Sequence, residues 1–229
     1  MKQWVTFDLD NTLIKSPFAR LHFLPWLRDQ AQKHGLDYDL LWAQIQRQAE
    51  SKWRRGDWVQ SFDWNTIVQE VGLDKLPEPP QPSAAALRPL LLPHVNWMLR
   101  EIRRLPVSLA LVTNGFYAFQ APYLRSLGWD YVFDAVITPD RTGYTKPHPL
   151  TFVEVTPGLV HVGDRLSHDV LAARRTGRIA VQAGYLRPER DRIDPLSPAR
   201  IVPDFALDDY RQLPTIIDQL LHRTTTPHL

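Results

Sequence analysis

Short apolar runs recur along most of this chain, and each is followed by polar or glycine-containing residues. Such runs predict buried strands near residues 5–7, 107–112, 132–137, 159–162, 179–182 and 205–207. Between the later runs, helical patterns cover residues 94–104, 119–127, 168–176 and 209–222, and a loop rich in proline and arginine is predicted over residues 185–203. Alternating strands and helices predict an α/β fold, with a mainly parallel sheet and helices on both faces.

A block of helices interrupts this alternation between residues 17 and 90. Two sets of apolar residues have the i, i+3, i+7 spacing of a helix, namely Leu24, Leu27 and Ala31, and Trp42, Ile45 and Ala49. A further helix is expected over residues 58–68, and the proline-rich residues 77–83 predict a linker. We therefore predict a core formed by residues 1–15 and 90–229, and a small all-α domain formed by residues 16–89.

The bulk composition is that of an ordinary globular protein, with 44% hydrophobic and 23% charged residues. The net charge of +2 is too small to indicate a nucleic acid or a membrane surface as a partner. The chain has no cysteine, which excludes disulfides and thiolate chemistry. Neither a leader-like segment nor a run of 18 apolar residues is found, so we expect a cytoplasmic protein.

The first apolar run stops abruptly at two carboxylates, Asp8 and Asp10. In extended chain both side chains point the same way, because side chains alternate along a strand. Open parallel sheets bind their ligands at the carboxyl ends of the strands. Two like charges held side by side cost free energy unless a cation or a proton lies between them. The pair therefore predicts a metal site, a group that transfers protons, or both.

Three later segments carry similar polar clusters, which are Thr113-Asn114-Gly115, Lys146-Pro147, and Gly163-Asp164 followed by Asp169. Together with Asp8-Leu9-Asp10-Asn11-Thr12 they form four motifs, and with this order of motifs the chain resembles the haloacid dehalogenase (HAD) superfamily of hydrolases over essentially its whole length. The resemblance implies a Rossmann-like core, a helical cap domain after the first strand, Mg²⁺, and hydrolysis of phosphate esters through an aspartyl-phosphate.

The resemblance also implies a role for each of the four acids. Asp8 would be the nucleophile and a metal ligand. Asp10 would be the general acid and base, and its backbone carbonyl would be a further metal ligand. Asp164 would complete the Mg²⁺ site. Asp169 would bind the metal through water or hold Lys146, although an acid at this position could also simply cap a helix.

Two further motifs would bind the phosphoryl group. Thr113 would donate its hydroxyl and Asn114 its backbone N–H to phosphate oxygens, and Lys146 would place a positive charge on the phosphate and on Asp8. Without the other motifs, Thr113 or Asn114 could be a helix N-cap, and Lys146 could be a surface residue. His168 is expected to be a loop residue and no ligand.

The substrate is expected to be a small phosphorylated metabolite, bound by a monomer or a homodimer. Asp10 favours phosphoryl chemistry over dehalogenation, because a halide leaving group needs no proton. A phosphomutase, a catalytically silent member that binds a partner protein, and a dehalogenase stay open as alternatives.

Two features concern the surroundings of the site. Cations of the helical block could meet an anionic substrate, although such residues more often form a solvated face; they are Arg20, His22, Lys52, Arg54 and Arg55. The tryptophans of the helical block are expected to be core residues, since tryptophan is a core residue more often than a stacking platform for a ligand. Only 16 residues separate Lys146 from Gly163, where relatives usually fit a full helix, so a truncated or absent helix is expected over Pro149–Val155.

Overall fold

A six-stranded sheet organises the computed structural model, which describes residues 2–184 and 200–225. Every pair of neighbouring strands is parallel, which confirms the predicted α/β fold. In chain order the strands are β1 (Gln3–Phe7), β2 (Val107–Val112), β3 (Ala135–Ile137), β4 (Gly158–Gly163), β5 (Ile179–Gln182) and β6 (Phe205–Ala206). The strands β2 and β5 have the bounds that the apolar runs predicted.

The strand order is β3-β2-β1-β4-β5-β6, so β1 lies in the middle and pairs with both β2 and β4. The chain runs outward from β1 in one direction first and then crosses back to the other side. Ligands of open α/β sheets bind outside the carboxyl ends of the strands at such a reversal. The residues that follow β1 and β4 therefore flank the expected ligand position.

The strand β3 is shorter than the predicted run of residues 132–137. A 3-10 helix, Trp129–Tyr131, precedes it, and the N–H groups of Val132 and Phe133 donate to the carbonyl of Trp129. These two residues therefore form a turn and make no hydrogen bonds of the parallel sheet.

Helices surround the sheet and also form the block between β1 and β2. In chain order they are α1 (Leu24–His34), α2 (Tyr38–Arg54), α3 (Trp64–Glu70), α4 (Ala84–Leu87), α5 (Val95–Ile102), α6 (Tyr117–Leu127), α7 (Pro139–Thr142), α8 (Leu171–Arg175) and α9 (Leu213–Thr225). The helix α6 ends at Gly128, which has a left-handed φ of 67°, as its position after the apolar pattern predicted. The single-turn helices α4 and α7 were not predicted.

Both faces of the sheet are covered, as the side chains of β2 show. Leu109 and Leu111 belong to the main core, together with buried residues of α5 and α9. Ala110 and Val112 point the other way and belong to a second cluster, with Phe152. Successive side chains of a strand alternate between faces, so one apolar run supplies both cores.

The helical block is tied together by aromatic residues and by capped helix ends. The carboxylates of Asp37 and Asp63 accept hydrogen bonds from the first turns of α2 and α3, at 2.9 and 3.2 Å. Phe23 lies at the centre of the aromatic contacts, with its ring 5.2 Å from that of Trp64. Residues 77–83 form neither helix nor strand, as the linker prediction requires. The domain boundaries at residues 15 and 90 stay a prediction.

The segment after Lys146 has the expected truncation, since Pro149–Val155 forms a short 3-10 helix. A buried arginine, Arg178, fills the space behind it. Its Nη2 donates to the carbonyl of Val155 at 2.6 Å, and its guanidinium carbon lies 4.5 Å from the ring centre of Phe152.

Of the loop predicted over residues 185–203, residues 185–199 lie outside the described part of the chain. Within the described part, no helix is both long and apolar enough to cross a membrane.

Arg178 is expected to support this short segment. We expect Arg178→Ala to lower the free energy of unfolding by about 2–4 kcal/mol, because it removes the donor to a buried carbonyl and the contact with a buried ring. Denaturant unfolding followed by circular dichroism measures the loss.

Arg174→Ala provides the matched control. Arg174 is exposed and bonds to Asp204 at 3.3 Å on the surface, so its loss should cost less than about 1 kcal/mol. Equal losses for the two variants would contradict the structural role of Arg178.

Candidate active site

The predicted site residues meet at the carboxyl ends of β1, β2 and β4, around a cavity of about 210 Å³. Six of the seven line this cavity; they are Asp8, Asp10, Asn114, Lys146, Asp164 and Asp169. Thr113 is buried directly after β2 but is not among the lining residues.

The two acids after β1 are held by different partners. The Asp8 backbone N–H donates to the carbonyl of Val162 in β4, and its Oδ2 accepts from the Thr12 hydroxyl at 2.9 Å. Asp10 Oδ2 accepts from Gln120 Nε2 at 2.9 Å, whereas its buried Oδ1 has no hydrogen-bond partner within residues 2–184 and 200–225. Asn11 adopts a left-handed φ of 61°, and the turn that follows brings Thr12 back to Asp8.

A buried ammonium group connects the acids. Lys146 is 1% exposed, and its Nζ donates to Asp8 Oδ1 at 2.7 Å and to Asp169 Oδ1 at 2.6 Å. The side-chain amide of Asn114 clamps the backbone of Lys146, since Oδ1 accepts from its N–H at 2.9 Å and Nδ2 donates to its carbonyl at 3.1 Å. Burial disfavours the charge on Lys146, but the two carboxylates outweigh it and raise its pKa.

The four carboxylates differ in their pKa values. Burial raises the pKa of Asp8 to about 7, although Lys146 partly opposes this shift. Burial also raises the pKa of Asp10, and raises that of Asp164 well above its ordinary value with help from Asp169 and Asp8. At Asp169 the nearby ammonium outweighs burial and lowers the pKa.

This charge balance fits a divalent cation. Ligand oxygens of Asp8, Asp164 and Asp169 lie within 4.8 Å of one another, and all three residues are buried. With Asp10 they make four carboxylates around one ammonium group, which leaves an excess of negative charge when all are ionised. Carboxylate oxygens are the ligands that Mg²⁺ and Ca²⁺ prefer, so the donor set suits a hard cation.

Thr113 and Asn114 are not helix caps in this structure. The cap position of α6 is Phe116, without a side-chain hydrogen bond. The Thr113 hydroxyl oxygen accepts from the Gly115 N–H at 3.1 Å, which leaves its proton available for a donor role.

Asp169 and His168 lie in a helical turn, Leu166–Val170, that continues into α8. The loop predicted for His168 is therefore wrong: the residue is buried in this helical turn, and its ring lies 4.4 Å from that of Trp53. Asp169 Oδ2 accepts from the backbone N–H of Arg165 at 3.0 Å, so the acid caps the turn and holds Lys146 at once. Gly163 makes room for it, since a Cβ there would lie 2.1 Å from Asp169 Cγ.

Sequence reasoning missed two polar residues that support the acids. His161 in β4 has Nε2 3.3 Å from Asp169 Oδ1 and Nδ1 2.9 Å from the Thr6 hydroxyl, and burial lowers its pKa to about 4. A histidine inside an apolar strand was the available signal. Gln120 lies on α6 behind Asp10. Its side chain needs a glycine at position 115, because a Cβ on residue 115 would lie 2.0 Å from Gln120 Nε2.

The cations of the helical block do not line the cavity. Lys52 is buried and pairs with Glu70 at 2.6 Å, while Arg54 pairs with Glu50 at 2.7 Å on the surface. His22 Nε2 lies 2.9 Å from the carbonyl of Pro77. The lining residues that the block supplies are mostly aromatic, and they include Trp42 and Trp64.

Comparison with known proteins places these features in one family. Residues 2–177 match the family model of haloacid dehalogenase-like hydrolases. A glyceraldehyde 3-phosphate phosphatase of Methanopyrus kandleri is 27% identical over an alignment that covers 94% of this chain and 97% of that protein.

Solved structures give the same result at the level of the fold. The crystal structure of a HAD phosphatase from Thermococcus onnurineus is 26% identical, covers 95% of this chain and 98% of its own, and has a TM-score of 0.67. The L-2-haloacid dehalogenase of Xanthobacter autotrophicus shares the fold, with a TM-score of 0.57 and 19% identity over 95% of this chain and 99% of that one.

A divalent cation such as Mg²⁺ is expected to raise the midpoint of thermal unfolding. Burial raises the pKa of Asp8 from 3.8 to about 7, so its ionisation costs the folded state free energy that is absent below about pH 4 and complete above about pH 7. A bound cation offsets this cost, and stabilisation reaches about 2.7 kcal/mol at 100 times its Kd. Thermal scans at two pH values should show a larger shift at the higher one.

Asp164→Asn should lose most of this shift, because it removes one of the three clustered acids. Asp29→Asn, on the exposed face of α1, should keep it. A shift of equal size in both variants would place the cation elsewhere.

Proposed function

The chain belongs to the haloacid dehalogenase-like hydrolases, and we propose that it is a magnesium-dependent phosphatase acting on a small phosphorylated metabolite. One observation carries the proposal: the buried ammonium of Lys146 bridges Asp8 and Asp169 beside Asp164, and Asp10 lines the same cavity. Catalysis of phosphoryl transfer depends mainly on positioning the reacting groups and on neutralising the charge of the phosphate, and this cluster offers both.

Asp8 is the proposed nucleophile. Lys146 and Thr12 each hold one of its oxygens, so the carboxylate has a fixed orientation. In the first step an Asp8 oxygen bonds to phosphorus while the bond from phosphorus to the leaving oxygen breaks, which gives an aspartyl-phosphate. In the second step water attacks phosphorus, the bond to Asp8 breaks, and inorganic phosphate leaves.

Asp10 is the proposed proton carrier of both steps. Its raised pKa favours a protonated acid that can give its proton to the leaving oxygen, and Gln120 holds one oxygen while the other has no partner in the described residues. The resulting carboxylate then takes a proton from the attacking water, which restores the starting state.

The remaining motif residues would bind the phosphoryl group and the metal. Lys146 would neutralise phosphate charge, with the Thr113 hydroxyl and the Asn114 backbone N–H as further donors. Asp8 and Asp164, the backbone carbonyl of Asp10, and Asp169 directly or through water would hold Mg²⁺. When bound, Mg²⁺ supplies positive charge that shields the attacking carboxylate from the anionic phosphate.

Residues 16–89 are proposed to act as a cap that excludes water from the reaction. The glyceraldehyde 3-phosphate phosphatase of Methanopyrus kandleri and a phosphoserine phosphatase of Thermus thermophilus are named for small phosphate esters, which supports the substrate class. We propose that the protein acts as a monomer or a homodimer.

Asp8→Asn is expected to lower hydrolysis of p-nitrophenyl phosphate with Mg²⁺ by at least about 10³-fold, because an amide is no nucleophile. Asp29→Asn should keep wild-type turnover. Retained activity in Asp8→Asn would refute the assignment of the nucleophile. Transfer of phosphate between positions of a sugar phosphate would instead indicate a phosphomutase, and halide release from 2-chloropropionate a dehalogenase.

Asp10→Asn is expected to separate substrates by their leaving groups. The p-nitrophenolate ion leaves without a proton, whereas an alkoxide needs one, so the variant should lose at least about tenfold more activity on butyl phosphate than on p-nitrophenyl phosphate. The ratio of kcat/KM values in wild type and variant measures this difference. Equal losses would mean that Asp10 does not protonate the leaving group.

A further inference from the structure

The side of the cavity contributed by the helical block and by the start of α6 is aromatic. We call these residues the aromatic wall: Phe18, Phe23, Trp42, Phe62, Trp64, Phe116 and Phe119. The polar residues of the cavity come mainly from the strand ends, where the phosphate would bind. The cavity therefore has a charged end for the phosphoryl group and an apolar end for the rest of the substrate.

The aromatic wall is a packed cluster and not a set of isolated rings. Phe18 lies 4.8 Å from Phe119 and 5.8 Å from Phe23, and Phe23 lies 5.9 Å from Trp42 and 5.2 Å from Trp64, measured between ring centres. Because each of these five rings is held by a neighbour, this part of the wall presents a preformed apolar surface that needs little ordering when a ligand binds.

The wall offers few partners for a polar substrate. Its only hydrogen-bonding side-chain groups are the indole N–H groups of Trp42 and Trp64, which are donors only. Two nearby amides are partly engaged: the Asn114 amide is bonded to the backbone of Lys146, and Gln120 Nε2 is bonded to Asp10. Gln120 Oε1, which has no partner among the described residues, and Ser16 are the polar groups of this side that a substrate hydroxyl could still meet.

Charged groups are also missing at this end. Among the described lining residues, the block contributes no charged side chain. The cavity's cations are Lys146, which bridges two carboxylates, and Arg165, which directly follows Asp164 at the phosphate end. A second carboxylate or phosphate on the substrate would thus face the aromatic wall without a countercharge.

We propose that the alcohol part of the substrate is small and apolar, so that the protein hydrolyses phosphate monoesters of short alkyl or single-ring aromatic alcohols. This inference rests on the proposed phosphatase function. Each hydroxyl buried against the wall without a partner weakens binding by about tenfold, whereas buried CH₂ groups strengthen it. The cavity of about 210 Å³ lies below the range of about 300–1,000 Å³ for sites of drug-sized ligands, which limits the size.

Steady-state kinetics with esters of primary alcohols test the proposal, because their leaving groups demand similar proton transfer. Benzyl phosphate and butyl phosphate represent the apolar class, and glycerol 3-phosphate and glyceraldehyde 3-phosphate the polar class. The purified full chain with Mg²⁺ should show kcat/KM values about tenfold or more higher for both apolar esters.

The outcomes separate this inference from the proposed function. Higher kcat/KM for glycerol 3-phosphate or glyceraldehyde 3-phosphate, or equal values for the two classes, would overturn the apolar substrate and leave the phosphatase intact. No turnover of any ester, p-nitrophenyl phosphate included, would overturn both.

Variants of Trp64 link the preference to the aromatic wall. Trp64→Ala should lower kcat/KM for benzyl phosphate by about tenfold, yet change that for glycerol 3-phosphate by less than about threefold. Trp64→Phe keeps an apolar ring and should stay within about threefold of wild type on both esters.

Trp97→Ala is the matched control, since Trp97 lies exposed on α5 outside the cavity, and it should leave the preference unchanged. Equal loss on both classes of ester in Trp64→Ala, with an unchanged unfolding midpoint, would contradict the assignment of the wall.

Discussion

The buried ammonium of Lys146 between Asp8 and Asp169 is the interaction on which the rest of the site depends. An isolated charge in a protein interior is very costly, and removing one partner of a buried ion pair typically costs about 3–5 kcal/mol. Two neighbouring residues stabilise this contact. Asn114 clamps the backbone of Lys146, and His161 supports Asp169 from behind. The arrangement still carries excess negative charge, and a divalent cation is the natural complement.

The parallel sheet makes this contact possible between residues that are far apart in the chain. Lys146 and Asp8 are 138 positions apart, yet their side chains lie 2.7 Å from one another. Since β1 pairs with both β2 and β4, the polar residues after these strands meet at one edge. The same topology needs apolar residues on both faces of the strands, so the fold that buries the core also gathers the acids.

The two ends of the cavity have different physical characters, and this division suits the proposed chemistry. The strand ends provide charge and hydrogen bonds, which stabilise a phosphoryl group in transfer. The helical block and the start of α6 together provide the aromatic wall, which favours burial of an apolar group and keeps water away. Reaction type and substrate choice would then depend on separate parts of the chain.

Local patterns of two or four residues were enough to predict the order of the strands and of the longer helices, and the acids at the strand ends. The truncation after Lys146 was predicted from the short spacing between two motifs, compared with the family that the chain resembles. The sequence by itself could not determine that Asn114 would clamp Lys146, that Gln120 would hold Asp10, or that His168 would be buried against Trp53. Those contacts join residues distant in the chain, and only the packing of helices on the sheet brings them together. The same packing places Trp42 and Trp64 of the helical block beside the cavity and leaves the cations of the block outside it.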